Sequence, residues 1–568
     1  MTAEPIIWFD QPVPFRRRSG HRDVLPITAL TTGYADDPIV AVETGHWFTD
    51  AGFFFLLRDL LQIAIPPATE QAWLDRLLRP PRPDALRAAL DSYAEAFDLV
   101  HPELPAMQVR PSETARASKP QKSGRSRNQE ATAEDADEEE IEPAGAQPLL
   151  RLFPDSPTAN NDDKGTSFFG RLGDARPSIG AGLVLPLLYA NMVLFPSPGG
   201  GHFALPTGID SVKFAVVGDT LWRSLWANVH TADRTPPDRR AFPWLDPRWR
   251  EQQLGKAPWF KEEANQVRVA GQAQIPMQRR HLLGSASADR CHMSGVDGSC
   301  FTTFERWPSG PLYSPVGFIP AWAAVRPSKR KGAAPDTFEY RRARHRMRFD
   351  DWLDIALGRQ SNEGNEPGWS VPDAIQRFTA RCDSVLDELE SIGEMASSTG
   401  TAFRELPFRV EAVALVIDGK AAVASSRRAL PLWRIGSART ETIAHRVAGV
   451  IQRLDKVAEA LAQAAKSAVV LTAGARAEAT PSALADALKA RLEPFVLDLP
   501  RLHAAAADDL AAVALDDRVI ERSIAVAAAI FDETFPILGV DKPSLAAARA
   551  RSVLRGKLNK LSPNAGRE

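Results

Sequence analysis

Residues 183–230 of this chain read LVLPLLYANMVLFPSPGGGHFALPTGIDSVKFAVVGDTLWRSLWANVH. The apolar run Leu183–Phe195 is typical of a buried helix, and it stops at a Pro-Ser-Pro stretch. Three consecutive glycines, Gly199–Gly201, come next, and the residues after them predict a short strand and an aromatic amphipathic helix. A backbone without side chains can be approached closely by another backbone or by a ligand. Glycine and proline also punctuate ordinary loops, so composition alone favours a long turn here.

The composition of the chain is that of a soluble globular protein, with 44% hydrophobic and 25% charged residues. A chain of 568 residues is too long for one compact hydrophobic core, so we expect at least two domains. The net charge of −2 requires any nucleic-acid binding to rest on local basic patches. The 3 cysteines are too few for a disulfide framework, and the opening residues lack the pattern of a secretory signal. Because the longest apolar run, Ala181–Phe195, is too short to span a bilayer, we expect a cytoplasmic protein.

Residues 111–146 differ in composition from the rest of the chain. Their first half, SETARASKPQKSGRSRNQ, is basic and polar, and their second half, EATAEDADEEEIEP, is acidic. Such a segment has too little apolar surface to order itself, so we predict a disordered insert without chemistry. The long irregular stretch that follows ends in Phe168 and Phe169. Long loops are often functional, although two aromatic residues before a glycine can equally anchor a core.

The segment EYRRARHRMRFDDW, residues 339–352, is the strongest local concentration of positive charge. If it forms a strand, side chains of alternate residues project from one face. The residues on that face would be Arg342, Arg344, Arg346 and Arg348. Four guanidinium groups in a row repel one another unless anions lie between them, and either phosphates or acidic side chains would serve.

The segment FRVEAVALVIDGKAAVASSRRALPLW predicts a β-hairpin. Two runs rich in β-branched residues and alanine meet at Asp418-Gly419, a pair that is preferred in tight type I′ turns. Lys420 follows the turn directly and is expected at the tip of a projecting finger. A lysine at such a place is ordinarily just solvated.

The chain becomes alanine-rich and helical from about Thr440 onward. Apolar residues at alternating steps of four and three mark a bundle helix: Ile443, Val447, Val450, Leu454, Val457 and Leu461. Three more helical segments with short connections predict an antiparallel four-helix bundle whose last helix is basic. The predicted fold class is therefore α+β, with an irregular mixed N-terminal domain over residues 1–435 and the bundle over residues 436–568.

Motifs for catalysis or cofactor binding are missing from the sequence. There is no GxxxxGK[ST], no HExxH and no GxSxG. The stretch CHMSG, residues 291–295, supplies one thiol where a zinc knuckle needs two. We therefore expect no enzyme activity, no cofactor and no structural zinc.

The order of these features resembles the large subunit of the type I-E CRISPR surveillance complex Cascade, the CasA family. WFDQPVPFRRRSGHRDVLPITAL resembles the opening of the family, and AFDLVHPELPAMQ resembles its F-x-L-x-H-x-x-x-P-x-M-Q pattern. GGGHFALPTG followed by LWRSLWANV is similar to its glycine loop, strand and L-x-N-V helix. QIPMQRRHLL, CHMSG and ERWPSGPLYSP follow in the family's order before the final bundle. The resemblance covers nearly the whole chain apart from residues 111–146 and parts of 320–400.

This resemblance implies a non-catalytic DNA-recognition subunit of an RNA-guided complex. Such a subunit reads the short motif beside the target, the PAM, through the minor groove. It also wedges the duplex open to start R-loop formation and helps to recruit a helicase–nuclease, while the guide reads the remaining sequence by base pairing. The implied partners are double-stranded target DNA, crRNA, the backbone, small and crRNA-end subunits of Cascade, and the helicase–nuclease, with no membrane.

The resemblance also implies site residues. The family's PAM-facing glycine loop corresponds to Gly199, Gly200 and Gly201, and a bare backbone there can enter a narrow groove and offer N–H groups to base edges. The wedge hairpin corresponds to Asp418, Gly419, Lys420 and Ala421, where the family often carries Asn and Gln at the tip. The loop that contacts DNA and the guide's end corresponds to residues 154–169, with Asn160, Asn161, Lys164, Phe168 and Phe169. The zinc-binding CxxC pairs of some members correspond to Gly180–Leu183 and Cys291–Ser294.

Two other functions remain open from the sequence alone. The chain could be a metal- or nucleotide-dependent nucleic-acid enzyme that uses the glycine loop, although it shows no ligand set for either. It could also be a structural scaffold in which the helical bundle acts and the glycines form a plain turn.

Overall fold

The computed structural model describes residues 4–109, 144–154, 176–194, 211–231, 242–245, 277, 279–307, 319–328, 338–343, 347–357, 368–391, 407–418, 421–433, 437–471, 481–535 and 545–563. Its described helices are α1 (Trp47–Ala64), α2 (Glu70–Leu78), α3 (Pro83–Asp91), α4 (Ala181–Val193), α5 (Leu221–Trp226), α6 (Phe349–Ala356), α7 (Asp373–Ser391), α8 (Ser437–Leu471), α9 (Pro481–Ala505), α10 (Asp509–Thr534) and α11 (Leu545–Leu561). Its described strands are β1 (Val13–Arg17), β2 (Arg22–Leu25), β3 (Ile39–Val42), β4 (Ala144–Pro148), β5 (Ile179–Gly180), β6 (Lys213–Val217), β7 (Arg280–Leu283), β8 (Ser287–Arg290), β9 (Asp297–Phe301), β10 (Thr303–Trp307), β11 (Val325–Pro327), β12 (Phe338–Tyr340), β13 (Arg409–Asp418) and β14 (Ala421–Pro431).

The chain forms two compact units. The first unit contains Met1–Arg346 and Pro372–Ala429, and the second contains Met347–Val371 and Leu430–Glu568. The second unit therefore takes in a short stretch, including α6, that the sequence assigned to the N-terminal part. The predicted domain boundary at residues 435/436 stays a prediction, because a compact unit is not by itself shown to fold alone.

The first unit is mixed α and β, as the sequence predicted. Its described strands form small antiparallel sheets with the orders β2-β1-β3, β4-β10-β7, β5-β9-β8, β11-β12 and β14-β13-β6. β1 and β2 are joined by a tight turn in which Gly20 has a φ of +89°, a conformation that glycine adopts without strain.

The centre of the first unit is the contact between α1 and α4. Every residue of α4 is buried, which confirms the buried helix predicted from the apolar run. α1 packs against it through a surface that includes Gly52, where an added Cβ would collide with the backbone oxygen of Pro186. The two helix backbones can come this close only because Gly52 lacks a side chain.

The second unit is built on four helices that share one hydrophobic core. All six residues of the predicted apolar stripe of α8 are buried in that core: Ile443, Val447, Val450, Leu454, Val457 and Leu461. The stripe prediction is therefore confirmed. The helices α9, α10 and α11 contribute further residues to this core, among them Leu488, Ile520 and Leu554, and α6 adds Phe349 and Leu353.

Ion pairs between these helices give their directions. Arg446 near the start of α8 pairs with Asp509 at the start of α10, so α8 and α10 run the same way. His503 late in α9 lies 2.9 Å from Asp516 early in α10, so α9 runs against α10. The helices α8, α9 and α10 therefore alternate in direction, as the first three helices of an up-down-up-down bundle do.

Candidate nucleic-acid interface

The predicted hairpin is built from β13 and β14. β13 ends at Asp418, β14 begins at Ala421, and the two strands are neighbours in one sheet. A connection of two residues can join only antiparallel strands, because parallel strands need a crossover of a dozen or more residues. The strands expected on both sides of Asp418-Gly419 are thus present, while the tip residues themselves lie outside the described part of the chain.

The other neighbour of β13 is β6, the strand that follows the glycine segment. The pairing is antiparallel, with Lys213 opposite Val413 and Val217 opposite Arg409. The N-terminal end of β6 therefore points in the same direction as the C-terminal end of β13. The chain re-enters the described region at Ser211, at the end of the sheet from which the hairpin projects.

The arginine-rich segment reaches the same end of the sheet along the edge of β6 that faces away from β13. The backbone N–H of Val212 donates to the carbonyl of Arg341 at 2.9 Å, and Ser211 is bridged to Arg342. The Arg342 side chain is exposed. β6 thus holds the hairpin on one side and the start of the arginine segment on the other.

Standard sheet spacings give the size of this arrangement. Continuing the register places Ser211 level with residue 415, three residues before Asp418. With about 3.3 Å per residue and about 4.8 Å between strands, Ser211 lies about 11 Å from Asp418 and Arg342 about 14 Å from it. We call this place, defined by Ser211, Arg342 and Asp418, the hairpin end of the sheet.

The opposite end of the sheet holds a cleft with several ion pairs. A cleft of about 700 Å³ there is lined by Val217, Arg409 and several ion-paired residues. Arg427 pairs with Glu411 across the hairpin strands, and Arg16 pairs with Glu43 at 3.0 Å. Acidic side chains thus neutralise Arg427 and Arg16 in this cleft.

The structure does not support a single strand through all four arginines. β12 ends at Tyr340, and Arg348 stands directly before α6, where its backbone N–H donates to the Asp351 carboxylate at 3.0 Å. Its guanidinium pairs with Asp486 of α9. The predicted strand is therefore wrong at Arg348, because the aspartate three residues on starts a helix.

Most of the other predicted site residues lie outside the described part of the chain. They are Gly199, Gly200, Gly201, Asn160, Asn161, Lys164, Phe168, Phe169, Arg344, Arg346, Gly419 and Lys420. The backbone of Asp418 and Ala421 is described as strand, and their side chains are not. Their roles in DNA binding stay predictions.

A residue that sequence reasoning missed lies at the start of β6. Lys213 is only 2% exposed, and its ammonium donates to the carbonyl and the hydroxyl of Ser211 at 2.8 and 2.7 Å. The same nitrogen lies 5.0 Å from the centre of the Trp322 ring. The available signal was one lysine within an otherwise apolar strand, KFAVV, but such a lysine is usually at a solvated edge.

The place of the family's zinc pairs does not fit a zinc ion here. Gly180 lies beside Cys291, and a Cβ at position 180 would be 3.3 Å from the Cβ of Cys291. The Cys291 sulfur instead accepts a hydrogen bond from the Ser294 backbone at 3.5 Å. Burial raises the pKa of the nearby Cys300 thiol to about 11, which disfavours the thiolate that zinc requires. Among the described residues, no group of three or more His, Cys, Asp or Glu could hold a metal ion.

The fold as a whole is shared with solved proteins. It is similar to Thermobifida fusca Cse1, with a TM-score of 0.62 and 17% identity over 99% of this chain and 98% of that one. A Thermus thermophilus CasA structure gives a TM-score of 0.60 at 17% identity, over 98% of this chain and 100% of that one. Acidimicrobium ferrooxidans Cse1 gives a TM-score of 0.58 at 16% identity, over 99% of this chain and 100% of that one. At 16–17% sequence identity, this structural similarity establishes the fold alone.

The family of this chain is shown by the match of its sequence to a family model. The model of the family CRISPR-associated protein Cse1 matches residues 9–528, so the chain belongs to that family. The resemblance to the large subunit of type I-E Cascade is thereby confirmed. Comparison with the curated proteins gave no match. Within the described part of the chain, no helix is both long and apolar enough to cross a membrane.

Proposed function

We propose that this Cascade large subunit reads the PAM and opens the target duplex at the hairpin end of the sheet, without catalysing a reaction. The observation that carries the proposal is the antiparallel register of β6 and β13. It brings Ser211 and the base of the hairpin to one place, and the bridge from Ser211 brings Arg342 there too. Ser211 is the first described residue after the three glycines, which supports the proposal that they act at this place. Reading and opening must occur at adjacent base pairs, so the parts that perform them must be neighbours.

The glycine segment is the part that reads the PAM. The minor groove of B-DNA is about 6 Å wide, which admits a backbone without side chains more readily than one with them. Backbone N–H groups of Gly199–Gly201 donate to base-edge acceptors on the groove floor. Gly200 is the residue at which a side chain would most directly block this approach.

The hairpin is the part that opens the duplex. Beyond Val413, the last residue of β13 in register with β6, the strand continues for five residues to Asp418, or about 17 Å. Over this length it is supported by β14 and forms a two-stranded finger. At its tip Lys420 pairs with a phosphate and Ala421 packs on a base, in place of the amide side chains that are common in the family.

Arg342 and the remaining contacts hold the duplex in place. The distance of about 14 Å between Arg342 and Asp418 is on the scale of the major groove, about 12 Å wide, so both can reach one turn of DNA. The loop with Asn160, Asn161, Lys164, Phe168 and Phe169 contacts the PAM-proximal DNA and the end of the crRNA. The basic helix α11, which contains no acidic residue, faces DNA or neighbouring subunits of the complex.

The test is duplex binding by the assembled complex with two variants, Gly200→Leu and Lys420→Ala. Each is expected to weaken specific binding by about 1–3 kcal/mol, the scale of a lost base contact, and G200L is also expected to reduce discrimination between PAM and non-PAM duplexes. Gly145→Leu is the matched control, because an added Cβ at Gly145 meets nothing within 4 Å. Unchanged affinity and unchanged PAM discrimination in both variants would leave only a scaffold role for the chain.

A further inference from the structure

Lys213 is a buried cation beside Ser211 at the hairpin end of the sheet. Its ammonium holds Ser211 through both the carbonyl and the hydroxyl, at 2.8 and 2.7 Å, and lies 5.0 Å from the centre of the Trp322 ring. Ser211 is itself 1% exposed and is the first described residue after the glycine segment. Burying a lysine ammonium costs free energy unless its N–H donors are hydrogen-bonded. The hydrogen bonds to Ser211 are therefore needed to keep Lys213 buried.

The backbone that Lys213 holds is also the backbone that carries Arg342. Ser211 is bridged to Arg342, and the N–H of Val212 donates to the carbonyl of Arg341 at 2.9 Å. These two links lie at the N-terminal end of this edge of β6, where the described part of the chain begins again at Ser211. The position of Arg342 therefore depends on the position of Ser211, and the position of Ser211 depends on the Lys213 ammonium.

We propose that Lys213 is a positioning residue for DNA binding, which acts by fixing the edge of the sheet from which Arg342 reaches a phosphate of the duplex. Lys213 does not touch the nucleic acid, since it is buried. This inference rests on the proposed function in that it assumes a duplex at the hairpin end. It adds a residue that the sequence patterns did not single out.

The experiment measures how duplex binding by the assembled complex depends on salt, for wild type, Lys213→Met, Arg342→Ala and the double variant. One lost phosphate contact makes the slope of log K against log salt shallower by about 0.9. The affinity ratio of wild type to variant then falls about 3.5-fold between about 50 and about 200 mM salt. K213M keeps the side-chain volume and removes the charge.

We expect K213M and R342A to reduce the slope equally, and the double variant to reduce it no further. Val216→Ala is the control, because Val216 is buried in the same strand but lies away from Ser211. It is expected to lower stability without changing the slope. A purely structural role for Lys213 would make K213M behave like V216A, and that result overturns the inference.

Three other results would also decide against it. Additive effects of K213M and R342A would mean that the lysine does not act through Arg342. An unchanged slope in R342A would overturn this inference and the role of Arg342 in holding the duplex, whereas PAM reading and duplex opening are judged separately by the Gly200 and Lys420 variants. If K213M does not assemble, Ser211→Ala removes only the hydroxyl acceptor; it is expected to give a smaller slope change, and an unchanged slope overturns the inference.

Discussion

The crossing of α1 and α4 leads to a sharp prediction about Gly52. In Gly52→Ala the new Cβ would collide with the backbone oxygen of Pro186 and lie 2.7 Å from the Cβ of Ala190. Neither contact can be relieved by rotating a flexible side chain, so the two helices must move apart. Forcing an extra methyl group into a packed contact typically costs about 1–3 kcal/mol.

The matched control is Gly449→Ala in α8. Gly449 is exposed in the middle of a helix, and an added Cβ there meets nothing within 4 Å. Replacing glycine by alanine in such a helix stabilises it by about 0.5–1 kcal/mol. The same chemical change should therefore have opposite signs at the two positions, and the two changes in the free energy of unfolding should differ by about 1.5–4 kcal/mol.

Urea unfolding of the full chain, followed by circular dichroism, measures both variants. We expect G52A to unfold at a lower urea concentration than wild type and G449A to unfold at the same or a higher one. If G52A is as stable as G449A, the close approach of α1 and α4 at this residue is wrong. That result would also remove the structural reason for a glycine in α1.

Two further predictions concern charged groups. Arg348→Ala should leave the salt dependence of duplex binding unchanged, in contrast to R342A. It should cost at most about 1 kcal/mol of stability, because its partner Asp486 is half exposed. A loss of slope like that of R342A would mean that Arg348 contacts the duplex, as it would from a single strand with Arg342. Burial, aided by nearby arginines, lowers the pKa of His230 from 6.5 to about 3. The free energy of unfolding should therefore fall as the pH is lowered below about 6.5. In unfolding measured between pH 7 and pH 4, His230→Asn should flatten that dependence. An unchanged pH dependence in H230N would show that His230 is not the group that titrates.

Local patterns in the sequence were sufficient for the elements themselves. The apolar run Leu183–Phe195 predicted a buried helix, and the helix is buried along its whole length. The Asp418-Gly419 pair predicted the hairpin strands, and the heptad-like stripe beginning at Ile443 predicted a bundle helix. Each of these depends on residues that are close together in the chain, where side-chain period and turn chemistry decide the structure.

The arrangement of the candidate site was decided only by the tertiary structure. Lys213 pairs with Val413, which is far away in the chain, and no local pattern specifies that register. The same holds for the bridge from Ser211 to Arg342 and for the burial of the Lys213 ammonium. Which residues meet at the hairpin end depends on how distant strands align, because a β-sheet satisfies its backbone hydrogen bonds with partners from any part of the chain.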